Sequence, residues 1–592
     1  MANTRYLHRV KACIECRQQK VGFLYTIKTK AEMQRQIDEL RASVEARAFH
    51  GTPTNEDPSP TICTQGESPQ PSDFIANENI PQGPRIPIQG QGEDAQPRPY
   101  DQQFPCRRRS LGGVEIEPQK IADCCALFFK HYHPSVPIID PGYDPDQYYS
   151  YSPLVFWVIV AIGSRRYESD PTILDRLSSP VISLALQMTA FTSQYIPIIQ
   201  GLVLLCHWPF PIDTIYHDKS PVLAGAAMQL AIQNGLHMFS KRQDFTRNSL
   251  RPDQNEELFR AKLWTYCKFI CQSTSCFSGL PPFLTPDAFD REHQHLRIIE
   301  SLPPQVYWSQ RLHKSLTNAI VTLMACTTAA EDDLDYHQMR AFIDLFDHEI
   351  QDTGDRAKEY LQAWYVAIAR LYVRVFEFYS QVDEKTPERL IQLDSVARSV
   401  VELISAADKR DDFVLYSSHI VYRSLSLAGS TLLRLARCEL NLPIDLTSLE
   451  VLYFECMRLL KKRSLQNDDL DARGASLLTQ LWRSQRVFRQ QDGTINSLRV
   501  RLRNRGPMSV NYDCYWYWVV EFRGQSDPYS TNKGQAPAQE ASGEHEDTPL
   551  AQGSALDFDL SGNLDQLLLP PFSQMDGWIP PWEWSAEFGI PP

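Results

Sequence analysis

The chain is 592 residues long, with 43% hydrophobic residues, 22% charged residues and a formal net charge of −13. That length can bury a large core, and that charge excludes bulk nucleic-acid binding, so any contact with DNA must come from a local basic patch. A mean hydropathy of −0.36 and the lack of an 18-residue apolar run argue against a membrane protein, since the best candidate, Leu154 to Ile162, ends in Gly163-Ser164-Arg165-Arg166.

Residues 1–30 hold seven bases (Arg5, Arg9, Lys11, Arg17, Lys20, Lys28, Lys30) against one acid, Glu15. No apolar run follows the first of them, so the start does not read as a signal peptide. The 14 cysteines are too dilute for a disulfide scaffold, and a reducing compartment is expected, with thiols or metal ligands rather than bridges. Cys13 and Cys16 stand two residues apart, a spacing that lets adjacent thiolates share one zinc ion. Read alone, the pair is equally open to redox chemistry or coincidence.

Residues 31–48 are predicted to form a short coiled coil. Met33, Ile37, Leu40 and Val44 fall on a heptad seam, and Glu32, Arg35, Asp38, Glu39, Arg41 and Glu45 clothe the other faces. Two heptads make a marginal dimer contact. Residues 49–117 read as a disordered linker, because prolines 53, 58, 60, 69, 71, 81, 84, 87, 97, 99 and 105 interrupt any regular element.

From 118 to 523 apolar residues recur at helical spacing and strand alternation is scarce. The fold class is mainly α, with one large all-helical domain. Helices are expected over 223–239, 256–273, 359–380, 388–407, 413–440 and 446–463. No fixed repeat supports a solenoid. Cys267, Cys271 and Cys276, and Cys124-Cys125 at a helix start, are read as buried thiols. His131 and His133, and His293 and His295, are two apart and so point to different helix faces, which disfavours metal binding. Trp516 and Trp518, among Tyr512, Tyr515 and Tyr517, are expected to cap the core, with a ligand pocket there as the alternative.

From 524 to the end the composition returns to that of a disordered tail. Ten acids and no base follow Lys533, interleaved with large apolar residues. This is the compositional mark of an activation domain that offers a coactivator apolar anchors. Phe558, Leu567, Leu568, Trp578, Trp582 and Trp584 are the candidate anchors.

The run Lys11-Ala12-Cys13-Ile14-Glu15-Cys16-Arg17-Gln18-Gln19-Lys20 resembles the opening of the fungal six-cysteine zinc binuclear cluster. The resemblance implies zinc as cofactor, Cys13 and Cys16 as its first two ligands, and double-stranded DNA as partner. It makes Lys20 the residue that reads base edges and Arg17 a backbone contact, with Lys11, Lys28 and Lys30 adding positive charge. The run departs from the pattern where Phe23 stands at the third cysteine's place, and the remaining cysteines are absent. Two thiolates cannot close a tetrahedral site, so 1–30 reads as a truncated module.

Residues of about 120–300 resemble the fungal-specific transcription factor domain, or middle homology region. Ala227, Leu230, Ala231, Gly235, Leu236 and His237 match its helix ending in Gly-Leu-His. Arg260, Lys262, Leu263 and Trp264, followed by Gly279-Leu280-Pro281-Pro282, match its basic–Trp helix and turn. Leu302-Pro303-Pro304 is similar to the leucine-biosynthesis and protease-gene regulator subgroups.

No phosphate loop, dinucleotide fingerprint or nucleophile elbow is present, and His348-Glu349 lacks the second His of a zincin. The expectation is therefore no enzyme. It is a nuclear fungal transcription regulator of the activator type, a homodimer or paralogue heterodimer, contacting a coactivator through its tail and no membrane. The alternative is a helical interaction partner or corepressor of intact paralogues that does not itself bind DNA.

Overall fold

A computed structural model describes residues 106–529, apart from 191–193, 248, 250, 252, 283–292, 328–335, 355–359 and 491. The expected coiled coil, the linker up to residue 105 and the acidic tail beyond 529 lie outside the described residues.

The described chain opens on an antiparallel hairpin, β1 (Arg109–Leu111) and β2 (Val114–Ile116), with Arg109 opposite Ile116. Gly112 and Gly113 make its two-residue turn with φ of 55° and 82°, a conformation that glycine adopts without a Cβ penalty. The hairpin buries Ile116. The stretch read as linker to residue 117 therefore ends in ordered structure.

Seventeen α-helices follow among the described residues. The first eight are α1 (Pro118–Leu127), α2 (Pro145–Tyr151), α3 (Pro153–Gly163), α4 (Ile173–Met188), α5 (Tyr195–His207), α6 (Ser220–Gln233), α7 (Gln254–Phe277) and α8 (His293–Glu300). The remainder are α9 (Pro304–Thr327), α10 (Tyr336–Gly354), α11 (Tyr360–Arg374), α12 (Thr386–Asp411), α13 (Phe413–Tyr416), α14 (His419–Ala436), α15 (Leu446–Arg463), α16 (Leu470–Arg483) and α17 (Ser509–Arg523). None of them is long and apolar enough to cross a membrane.

The apolar run Leu154–Ile162 forms α3. Ser152 caps it by accepting from the Val155 N–H, and Pro153 occupies its first turn, where no amide donor is needed. Apolar on every side, α3 is buried on every side, from Leu154 to Gly163.

Two apolar cores result. The first gathers Ile116, α1 to α6 and much of α7, up to Val306 at the start of α9. The second gathers α9 to α17. Helix α7 belongs to both: Leu263, Trp264, Cys267, Ile270 and Cys271 face the first, and Phe269 and Cys276 face the second. Its 24 residues span roughly 36 Å, enough to run through both.

The element readings hold with local corrections. The helix expected over 223–239 stops at Gln233, where Gly235 turns left-handed at φ 64° and a kinked 3-10 segment, Leu236–Phe245, follows. The helix expected over 413–440 is split: Asp412 takes φ 50°, α13 lasts one turn, and Ser417 and Ser418 are extended before α14. Cys124 and Cys125 lie in the later half of α1 rather than at its start, and both are buried. Cys267, Cys271 and Cys276 are buried, as expected.

Candidate functional site

Every residue singled out for zinc (Cys13, Cys16), DNA (Lys11, Arg17, Lys20, Lys28, Lys30), dimerisation (Met33, Ile37, Leu40, Val44) or activation (Phe558, Leu567, Leu568, Trp578, Trp582, Trp584) lies outside the described residues. Within them, buried polar groups from several elements converge on the seam where the two cores meet along α7.

Helix α5 ends in His207, and the loop after it delivers Asp218, whose carboxylate accepts from the Ser220 N–H at 2.8 Å. From α14, Arg423 lies 3.5 Å from Asp218 and its Nε donates to His419 Nε2 at 3.1 Å. From α9, His313 pairs with Gln272 of α7: the Gln272 amide donates to the His313 carbonyl at 2.9 Å, and His313 Nδ1 lies 2.8 Å from Gln272 Oε1. Phe269 sits between two imidazoles, stacked on His207 at 5.3 Å and meeting His313 edge-on at 4.1 Å.

Two small cavities flank this spine. One, lined by Cys206, His207, Asp218, Ser273, His419 and Arg423, encloses about 320 Å³, mouth included. The other, lined by Phe269, Gln272, His313, Tyr365 and Tyr372, measures about 420 Å³ with its open mouth included.

Burial holds His207 near pKa 3. It does the same for His313, helped by His207 and Lys268. Burial, with Arg423, Arg463 and Arg165 nearby, holds His419 far below the ordinary imidazole value. Burial also pushes the Cys206 and Cys267 thiols well above their ordinary value. None of these groups is poised to exchange a proton near neutrality, and none of these thiols is activated as a thiolate. The seam can lock two halves together, and its cavities leave room for little more than water. His207 Nε2 is buried without a hydrogen-bond partner in it.

Just past the end of α3 stand two arginines, of which the second ties the cores further. Arg165 donates to the Pro209 carbonyl at 2.7 Å, and burial lowers its pKa to about 10. Arg166 reaches across to the carbonyls of Leu415, Lys462, Arg463 and Ser464. The last three close the C-terminus of α15, where orphan carbonyls and the helix dipole favour a cation.

A second polar feature is the arginine-rich loop between α16 and α17. An isolated bridge, Arg489 with Ile495, folds it back on itself. The Val500 N–H bonds the Phe378 carbonyl, and buried Arg434 holds the Ser497 carbonyl. Arg501 bonds Asp513 and Asp527 at 2.8 Å each and lies 3.6 Å over the Tyr517 ring. Arg503 covers Tyr379, and Arg505 covers Tyr512. Arg483, Arg486, Arg489 and Arg499 are exposed, with Arg489 donating from one nitrogen to the Gly493 carbonyl at 2.8 Å.

His131 stacks on Tyr416 at 3.9 Å, and His133 bonds the Ile139 carbonyl. His295 is buried against Phe239. Among the described residues no group of three His, Cys, Asp or Glu side chains could hold a metal ion. Trp518 is buried on the second core and donates to Gln480. Sequence reasoning missed the Asp218–Arg423–His419 cluster, whose members are too far apart in the chain to form a motif. It also missed the arginine loop, whose signal is plain: seven arginines between 483 and 505.

Residues 126–291, which include α7 and the His207 side of the seam, match the fungal specific transcription factor domain. A relative from Kluyveromyces lactis, the putative transcription factor SEF1, is 31% identical over 29% of this chain and 15% of its own length. The transcriptional regulatory protein SEF1 of Candida albicans is 27% identical over 42% of this chain and 27% of its own. The regulatory protein LEU3 of Saccharomyces cerevisiae is 28% identical over 32% and 22%. The matched parts thus span about a quarter or less of these relatives. No solved structure matches the chain.

Proposed function

We propose that the chain is a fungal transcription regulator of the activator type, working in the nucleus on target promoters, with the two-core helical body as its regulatory part. The match of residues 126–291 to the fungal specific transcription factor domain carries this reading. Relatives named as transcription factors and regulatory proteins support it. In this reading Lys11, Arg17, Lys20, Lys28 and Lys30 contact double-stranded DNA, the seam through Met33, Ile37, Leu40 and Val44 pairs two copies or paralogues, and Phe558, Leu567, Leu568, Trp578, Trp582 and Trp584 anchor a coactivator.

Zinc does not fit the donor set present. Cys13 and Cys16 are two thiolates, Phe23 holds the next ligand's place, and a tetrahedral structural site needs four ligands. DNA contact then falls to the basic residues alone, which lack a metal-built frame to fix them. That observation favours a second reading, in which the chain works as a non-DNA-binding partner or corepressor of intact paralogues.

The test has two arms. Residues 555–592 fused to a foreign DNA-binding domain should raise reporter expression, and replacing Trp578, Trp582 and Trp584 with Ala should abolish it. The tagged full chain should be recovered on promoters by chromatin immunoprecipitation. A tail that never activates ends the activator reading. Promoter occupancy that vanishes when paralogous zinc-cluster proteins are deleted favours the partner reading.

A further inference from the structure

Between Arg483 and Tyr529 the chain carries eight arginines, seven of them by Arg505, against four acids (Asp492, Asp513, Glu521, Asp527), in a molecule whose net charge is −13. Residues 530–592 reverse the balance, with ten acids and one base, Lys533. Basic surface and acidic segment are therefore consecutive in the chain, and at the end of the basic stretch the structure shows how one of its arginines holds an acid and a ring. Asp527 bonds Arg501 at 2.8 Å, and the Tyr529 ring lies under the same guanidinium at 5.6 Å and against Trp516 at 6.0 Å. An acid and an aromatic two residues apart are thus held by one arginine, through a charge-assisted bond and a cation–π contact.

The tail repeats that pairing. Asp576-Gly577-Trp578 has the spacing of Asp527-Pro528-Tyr529, and Asp557-Phe558-Asp559 and Trp582-Glu583-Trp584 interleave acids and rings in the same way. Exposed Phe522 adds apolar surface beside the exit point.

We propose that residues 557–588 dock in cis on the arginine surface formed by the end of α16 and the 484–508 loop, with exposed Arg483, Arg486 and Arg489 meeting their carboxylates. The 27 residues between Tyr529 and Asp557 give even a random chain a reach of roughly 30 Å. Tethering sets the local concentration on the order of millimolar, so several individually weak exposed ion pairs suffice. This rests on charge and geometry and not on the transcriptional reading: a chain that never meets DNA would dock its tail in the same way.

Hydrogen–deuterium exchange on the full chain tests it. Neutralising the tail with Asp557→Asn, Asp559→Asn, Asp576→Asn and Glu583→Gln should speed exchange across 484–508 by roughly threefold to tenfold. These changes leave the helical body untouched. Salt of about 1 M, which cuts the screening length to about 3 Å, should have the same effect on the unaltered chain and little on the variant. Arg486→Gln with Arg489→Gln should reciprocally speed exchange in 557–588. Exchange in 484–508 that ignores both salt and the tail's charge overturns the proposal. Protection that grows with protein concentration would assign the surface to a second copy's tail. Protection that comes only on adding a DNA duplex would assign it to phosphates. Either result also overturns docking in cis.

Discussion

His207 and His313 meet Phe269 from two sides, at 5.3 and 4.1 Å, and burial keeps both neutral, with pKa values near 3. In the unfolded chain each would titrate near 6.5. Between those limits the unfolded state binds more protons, so stability is full above about pH 6.5 and falls as the pH drops toward 3. Each histidine contributes a slope of about 1.4 kcal/mol per pH unit inside that window. His207→Phe should flatten the decline by about that slope in denaturant titrations run at successive pH values. Near neutrality it should shift stability by less than about 1.5 kcal/mol, as similar-sized core replacements do, because His207 Nε2 has no bond to lose. A slope unchanged by the substitution would mean that the site is not dry. Arg434 and Asp513 are the opposite case, a charged pair fully buried in the second core. Arg434 also holds the Ser497 carbonyl and lies 4.5 Å over Phe488. Asp513→Ala leaves a buried cation unpaired and should cost about 3–5 kcal/mol, read as a lower denaturation midpoint.

Elements were legible where periodicity sets them and illegible where single residues break them. The spacing of apolar residues placed the helix over 446–463 at the bounds it has. It could not reveal that Asp412, a residue that need not turn left-handed, does so and splits the next helix. Close packing is equally silent in sequence. Gly163 ends α3 against α1, where an added Cβ would sit 1.9 Å from the Cys124 carbonyl oxygen. Backbone on both sides leaves nothing flexible to yield, so Gly163→Ala should separate the two helices and cost several kcal/mol, of the order of about 3 for an overpacked core. Gly225, inside α6, has nothing within 4 Å of its would-be Cβ. Gly225→Ala should therefore raise stability by about 0.5–1 kcal/mol through helix propensity and unfolded-state entropy. Thermal melts of the two variants should move in opposite directions, and equal losses would show that α6 is not free on that side.

At the scale of the molecule the question is whether two cores behave as one cooperative unit. Charge and proline content mark out a helical body from 118 to 523 in the sequence, but composition carries no trace of a division inside that body, since both halves are helical and apolar. The seam could not be read because His207, Asp218, His313 and Arg423 converge only once α5, α9 and α14 pack on α7. Coupling between the cores rests on α7, which contributes to both, and on Arg166, which bridges from the end of α3 to carbonyls of Leu415, Lys462, Arg463 and Ser464. Trp208 adds a bond to the Tyr416 carbonyl at 3.1 Å, and the Leu470 N–H one to the Ile212 carbonyl at 2.9 Å. Arg166→Met keeps the length of the side chain but removes every donor, leaving the α15 terminus without its cation. Bonds from a charged donor contribute about 1.5–3 kcal/mol each, nearer the lower figure for half-buried Arg166, and this loss falls on the junction rather than on either core. Calorimetry of the unaltered chain should show one main transition for the helical body. In Arg166→Met that transition should broaden or divide, with the calorimetric enthalpy exceeding the van't Hoff value. A variant that melts lower but stays a single sharp transition would place the coupling in α7 and leave Arg166 as a local helix cap.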